Sequence, residues 1–206
     1  MRIKVCGLTR VQDVKLACEL RAWAVGFIFA PSPRQVTRDQ ARKLRGEVIP
    51  GIKVVGVFAD ANREEVLLAL RDCPLDALQF HGKETPEECE GYPVPVWKAL
   101  TLNGAEDLPL IRTYKTVERV LLEPKRTLAD RKAGRLPPIS EQRACWQLAY
   151  RARASSVVLA GGLNADNVRE AVQLGKPFAV DVSSGIESGA GIKDERKMKA
   201  FFEALM

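Results

Sequence analysis

The chain has 206 residues, 46% hydrophobic and 28% charged, which suits one domain or two small ones with a sizeable core. No apolar run approaches the ~20 residues of a bilayer-spanning helix, so no membrane partner is expected. The formal net charge of +6 is spread along the chain except for a basic stretch at 125–135. With no RNA-binding signature and no interleaved aromatics, it fits a solvated basic surface or a small anionic partner better than nucleic acid.

The first strand, residues 2–6, reads RIKVC and stops at Gly7-Leu8-Thr9-Arg10. A helical pattern over 11–21 follows at once. Further apolar runs occupy 24–29, 53–58, 76–80, 95–99, 118–123, 156–160 and 178–183. Most are continuous rather than alternating, as expected of parallel strands covered on both faces. Val66, Leu67, Leu70 and Cys73 lie at helical spacing after the third run. Asn164 can cap a helix running to about Leu174, ended by Gly175 and Pro177. Asp194 opens a last helix reaching nearly to Met206.

The order is βα repeated eight times. That predicts a single α/β domain over 1–206, a closed parallel (β/α)8 barrel at the small end of its size range. An open doubly wound sheet is the competitor, but no glycine-rich nucleotide fingerprint follows the first strand. Met1 leads directly into a strand with no cleavable apolar leader, so a cytoplasmic setting is expected. The five cysteines are widely spaced, lack a CxxC pair and accompany one histidine. They argue against disulfides or a zinc site and for reduced thiols.

A barrel directs attention to the residues just after each strand. Gly161-Gly162-Leu163-Asn164 follows the seventh and Ser183-Ser184-Gly185 the eighth. Loops at those two positions of many barrels bind phosphate through backbone N–H groups, and glycine lets the backbone approach closely. Cys6 ends the first strand, as a buried small hydrophobe or as a reactive group if a cation or helix terminus lowers its pKa. Cys18, Cys73 and Cys145 fall in helical patterns and read as packing residues. His81 follows the fourth strand and suits a structural or substrate-positioning role as well as proton transfer. Glu123 and Asp181 are strand-end carboxylates, either solvated or general acids. Arg34 is a surface charge or a bidentate partner for a carboxylate or phosphate.

Together the motifs KVCGLTR (4–10), FAPSPRQV (29–36), VGVFAD (55–60), LQFHGKE (78–84), LAGGLNADNV (159–168) and DVSSGIESGAGIKD (181–194) resemble the phosphoribosylanthranilate isomerase family. The resemblance spans nearly the whole chain and implies a (β/α)8 barrel of tryptophan biosynthesis. Its reaction is an Amadori rearrangement of N-(5′-phosphoribosyl)anthranilate without metal or organic cofactor. The resemblance makes Cys6 the general base and Arg34 the partner of the anthranilate carboxylate. It assigns the phosphate to Gly161, Gly162, Ser183 and Ser184, with Asp181 beside them; His81 is expected at the substrate from its place after the fourth strand. The expected partner is a small phosphorylated substrate, and the expected assembly a monomer or homodimer.

One region departs from the family pattern. The family's sixth strand usually ends in Leu-Leu-Asp, whose aspartate is the general acid. Here it ends Leu121-Leu122-Glu123-Pro124, so Glu123 takes the acid position with one more methylene. The loop that follows is basic, with Gly134 its one glycine. Two alternatives stand beside this reading. One is a histidine-pathway sugar isomerase, which runs the same rearrangement but uses an aspartate where this chain has Cys6. The other is a barrel that binds a phosphorylated ligand and has lost catalysis.

Overall fold

Alternation along the first strand decides what each of its side chains meets. Ile3 and Val5 of β1 (Arg2–Cys6) pack in the large core beneath the helices. Lys4 and Cys6 point the other way, and Lys4 pairs in register with Ala24, part of a second core inside the barrel. The same alternation recurs in β2 (Ala24–Ile28), β3 (Lys53–Phe58), β4 (Ala77–Phe80), β5 (Val96–Thr101), β6 (Arg119–Glu123), β7 (Val157–Leu159) and β8 (Ala179–Val182). All pair in parallel, and β8 returns to β1 to close the barrel. This computed structural model describes residues 1–127, 136–152 and 156–206.

The helices are α1 (Val11–Glu19), α2 (Arg38–Arg45), α3 (Arg63–Asp72), α4 (Leu108–Thr113), α5 (Ile139–Arg151), α6 (Val168–Gly175) and α7 (Glu195–Glu203). Helices α2 and α3 open with reciprocal capping boxes, Thr37 with Gln40 and Asn62 with Glu65. Among the described residues no helix is long and apolar enough to cross a membrane. The three cysteines read as packing residues are buried free thiols, as are Cys6 and Cys89.

The closed parallel barrel is as the sequence predicts, with three corrections. The fourth crossover carries only a 3₁₀ turn, Glu87–Cys89, instead of an α-helix. Pro86, Gly91, Pro93 and Pro95 crowd this short connection and leave no room for an uninterrupted helix. Asn164 does not cap α6: its side chain accepts from the N–H groups of Asp166 and Asn167, forming a turn, and the helix starts at Val168. Gly175 does not end α6 through its backbone freedom either. It is the last helical residue, and Lys176 takes the left-handed conformation (φ 42°). A Cβ at Gly175 would lie 2.7 Å from Leu159 Cδ1 and 3.1 Å from the Trp146 carbonyl oxygen, so close packing demands the glycine.

The lower end of the barrel is closed by aromatic rings. Trp23 stacks on Trp97 at 5.4 Å and meets Phe178 edge-on at 5.3 Å. The upper end is charged. An unpredicted antiparallel hairpin, β9 (Glu187–Gly189) with β10 (Ile192–Lys193), folds over it after β8.

Candidate active site

One wall of the barrel mouth is built by β1, β2, β8 and the hairpin. Lys4 and Asp181 are direct partners in the β1–β8 register, and Lys4 Nζ donates to Asp181 Oδ1 at 2.7 Å. The ammonium is fully buried. Cys6 lies two residues above it on the same face. A Cβ placed on Gly26 would sit 2.8 Å from Cys6 Sγ and 3.2 Å from Lys4 Nζ, so the missing side chain makes room for both. Burial pushes the Cys6 thiol above its ordinary pKa. Lys4 is the largest opposing influence, Asp181 pushes upward again, and Lys193 pulls down. Burial also disfavours the Lys4 ammonium, but Asp181 and then Cys6 outweigh it, so its pKa lies above the usual lysine value.

Arg34 follows β2 and reaches across to the hairpin. Its Nε and Nη2 donate to Glu187 Oε1 and Oε2 at 2.8 and 2.6 Å. Lys193 Nζ donates to Glu187 Oε1 at 2.7 Å and to the Ser183 carbonyl oxygen at 3.1 Å. Burial would raise the Glu187 pKa, but Arg34 and Lys193 hold the carboxyl below the usual range. Gly7 has φ +72°, and a Cβ there would lie 2.7 Å from Arg34 Cδ and 3.1 Å from Ser183 Oγ. Glycine at this turn therefore seats Arg34 against the β8 loop.

The opposite wall comes from β4, β5 and β6. Glu123 is buried at the end of β6, with its Oε1 3.3 Å from His81 Nε2. Gln79 Nε2 lies 3.1 Å from His81 Nδ1. With the amide nitrogen as donor, Nδ1 accepts and the ring proton sits on Nε2, facing Glu123. Below them Glu84 accepts from the backbone N–H of Asp60 at 2.8 Å and of Gly82 at 2.9 Å, and from Lys98 Nζ at 2.7 Å. That carboxylate ties the loops after β3 and β4 together and fixes the segment bearing His81. A cavity of about 240 Å³ is lined by His81, Lys98, Thr101, Tyr114 and Glu123 among others.

The two glycine-containing loops meet between these walls. Gly161 and Gly162 both have positive φ, 86° and 85°. A Cβ on Gly161 would press on Pro124 and Glu123, and one on Gly185 would collide with the Leu163 backbone. Close contact between neighbouring loops thus requires these glycines: Gly161 packs against the end of β6, and Gly185 against the loop that follows β7. Asp181, two residues before Ser183 on β8, has one carboxylate oxygen taken by Lys4, its register partner on β1. Most of the basic 125–135 stretch lies outside the described residues.

Sequence reasoning missed Lys4, Gln79, Lys98, Glu187 and Lys193. The signal for Lys4 and Lys98 was a lysine in an otherwise apolar central strand, since buried lysine is rare without a partner. Gln79 carried a weaker version of it. Glu187 and Lys193 belong to a quoted motif whose hairpin no local pattern announced.

A sequence model described as N-(5′phosphoribosyl)anthranilate (PRA) isomerase matches residues 3–204. The chain is 42% identical over 207 residues to the N-(5′-phosphoribosyl)anthranilate isomerase of Pseudomonas putida KT2440, covering 100% of this chain and 97% of that one. It is 39% identical to the enzyme of that name from Pseudomonas fluorescens SBW25, covering 100% and 95%. Among solved structures, phosphoribosyl anthranilate isomerase from Thermotoga maritima matches with a TM-score of 0.88 and 34% identity, covering 99% of this chain and 98% of that one. A phosphoribosyl anthranilate isomerase in complex with reduced 1-(o-carboxyphenylamino)-1-deoxyribulose 5-phosphate matches with a TM-score of 0.84 and 34% identity, covering 99% and 97%.

Proposed function

The chain belongs to the N-(5′-phosphoribosyl)anthranilate isomerase family, and on that premise we propose how its own residues divide the reaction between them. It is an isomerase of tryptophan biosynthesis. It converts N-(5′-phosphoribosyl)anthranilate to 1-(2-carboxyphenylamino)-1-deoxyribulose 5-phosphate by an Amadori rearrangement. Glu123 is the general acid: it protonates the ribose ring oxygen, the ring opens, and a Schiff base forms at C1′. Cys6 is the general base: its thiolate removes the C2′ proton, and the enolamine tautomerises to the ketone. No atom is gained or lost.

The observation that carries this division is the pairing across the mouth. A thiol flanked by an ammonium ends β1, and a buried carboxyl facing a histidine ends β6. Arg34 holds the anthranilate carboxylate. Gly161, Gly162, Ser183 and Ser184 hold the phosphate through backbone N–H groups and hydroxyls. His81 acts through Glu123, and Asp181 through Lys4. Five free buried thiols fit a cytoplasmic enzyme.

Turnover followed as loss of substrate fluorescence tests the reading. Cys6→Ala is expected to lower kcat about 1000-fold with KM little changed, because a base acts only in the proton-transfer transition state. Near-normal turnover by this variant removes Cys6 from the role. No turnover by the unmodified protein, with phosphate binding intact, favours the binding-only barrel.

A further inference from the structure

The hairpin that closes over the mouth has no part in the scheme above. We propose that Glu187, braced by Lys193, is a positioning residue. It holds Arg34 by one edge so that the opposite end of the guanidinium is presented to the substrate's carboxylate. This rests on the reading of Arg34 as the carboxylate partner.

Donor accounting gives the geometry. A guanidinium has five N–H groups in a rigid fork. Glu187 takes Nε–H and one Nη2–H. Among the described residues no acceptor takes the Nη1 pair or the remaining Nη2 proton. Those form the end-on fork that fits a second carboxylate in two bonds.

Charge accounting points the same way. Around the Cys6 thiol stand three cations, Lys4, Arg34 and Lys193, against two carboxylates, Asp181 and Glu187. Buried charges are normally matched. The unmatched positive charge fits an anionic ligand, and Arg34 is the partly open member of the cluster, with about a quarter of its side chain accessible.

Glu187 is not a loose surface partner. Its side chain is 4% exposed, and its carbonyl oxygen accepts from Lys197 Nζ at 2.7 Å. Lys193 is pinned through its backbone as well: its N–H donates to Asp13 Oδ2 at 3.2 Å, and its carbonyl oxygen accepts from Arg10 Nη2 at 2.9 Å. Thr9 Oγ1 bonds the Gly191 carbonyl oxygen at 2.6 Å. Glu187 therefore cannot swing with Arg34; it dictates where Arg34 points. Because Lys193 also bonds Ser183, the hairpin links the grip on the carboxylate to the loop assigned to the phosphate.

The opposite possibility is that Glu187 competes with substrate for Arg34, and the sign of one measurement separates the two. If Glu187 positions Arg34, Glu187→Gln raises KM about tenfold with kcat within about twofold, since an amide cannot accept both N–H groups. In an Arg34→Ala background the same change moves KM less than about twofold, because the group it acts through is gone. A fall in KM for Glu187→Gln, or full additivity with Arg34→Ala, overturns the proposal. If Glu187→Gln folds poorly, Glu187→Met with Lys193→Met removes the buried carboxylate together with its buried ammonium and leaves only the partly exposed Arg34 unpaired, and the same shortfall from additivity is expected. Arg34→Ala alone should raise KM about 100-fold, the worth of a bidentate charged contact. An unchanged KM there fails the carboxylate reading itself, a result distinct from failure of the positioning role.

Discussion

The two walls of the barrel mouth are built from the same material and surround their central groups differently. On the β8–β1–β2 side, three cations face two carboxylates around a thiol. On the β4–β5–β6 side, the Glu123 carboxyl stands against His81 in the lining of the cavity, and Lys98 of the same lining pairs with Glu84. The first wall is suited to hold anions, whether a thiolate or a substrate carboxylate. The second sets a carboxyl oxygen 3.3 Å from an imidazole nitrogen. One reaction needs both, and the barrel supplies them on opposite strands because each strand end is an independent position. Each wall rests on a buried ion pair two or three residues deeper or in the adjoining loop, Lys4 with Asp181 and Lys98 with Glu84.

The comparison breaks most severely at the acid. Glu123→Gln is expected to lose about 100- to 1000-fold in kcat, the usual worth of a positioned general acid. Glu123→Asp should stay within about tenfold of the parent or exceed it, since it shifts the carboxyl by about one bond length. Normal turnover by Glu123→Gln in a single-turnover assay would move the acid elsewhere on that wall.

Lys4→Met sharpens the cationic side. Lys4 is the largest influence pulling the Cys6 thiol down, and Asp181 pushes it up. Without the ammonium the thiol pKa rises further. The active form is the thiolate, so activity climbs as pH passes that pKa, and the acidic limb of kcat/KM moves toward alkaline pH by about one unit. An unmoved limb would mean that Lys4 serves only the fold. Adding Asp181→Asn removes the stranded carboxylate and should return part of the shift.

The smallest effect is expected at Gln79. Its Nε2 meets His81, while its Oε1 is buried with no hydrogen-bond partner among the described residues. Gln79→Leu should cost little stability, because an unsatisfied polar atom is removed along with one hydrogen bond. It should lower kcat about tenfold by freeing the imidazole tautomer, with KM unchanged. Thermal unfolding alongside turnover checks both halves. A drop in stability with unchanged kcat would make Gln79 a core residue only.

Much of the barrel was legible in the chain because its signals are local. Continuous apolar runs give buried parallel strands, Asp194 caps α7 through the Lys197 N–H, and Cys6, Arg34, His81, Glu123 and the glycine loops all follow strand ends. The fourth crossover was misread because helical periodicity was assumed where prolines break it. The start of α6 was misread because Asn164 and Asn167 are both good caps, and only the turn made by Asn164 separates them.

What the sequence alone determined is the order of strands and the identity of the groups at their ends, since both follow from spacing and side-chain chemistry within a few residues. The tertiary structure decided which charges meet. Lys4 and Asp181 are 177 positions apart and pair because barrel closure sets β8 against β1 in one register. Arg34 and Glu187 are 153 positions apart and meet because a hairpin folds back over the rim. A buried charge is tolerated only beside its partner, and no local pattern along the chain names a partner that closure of the barrel brings from its other end.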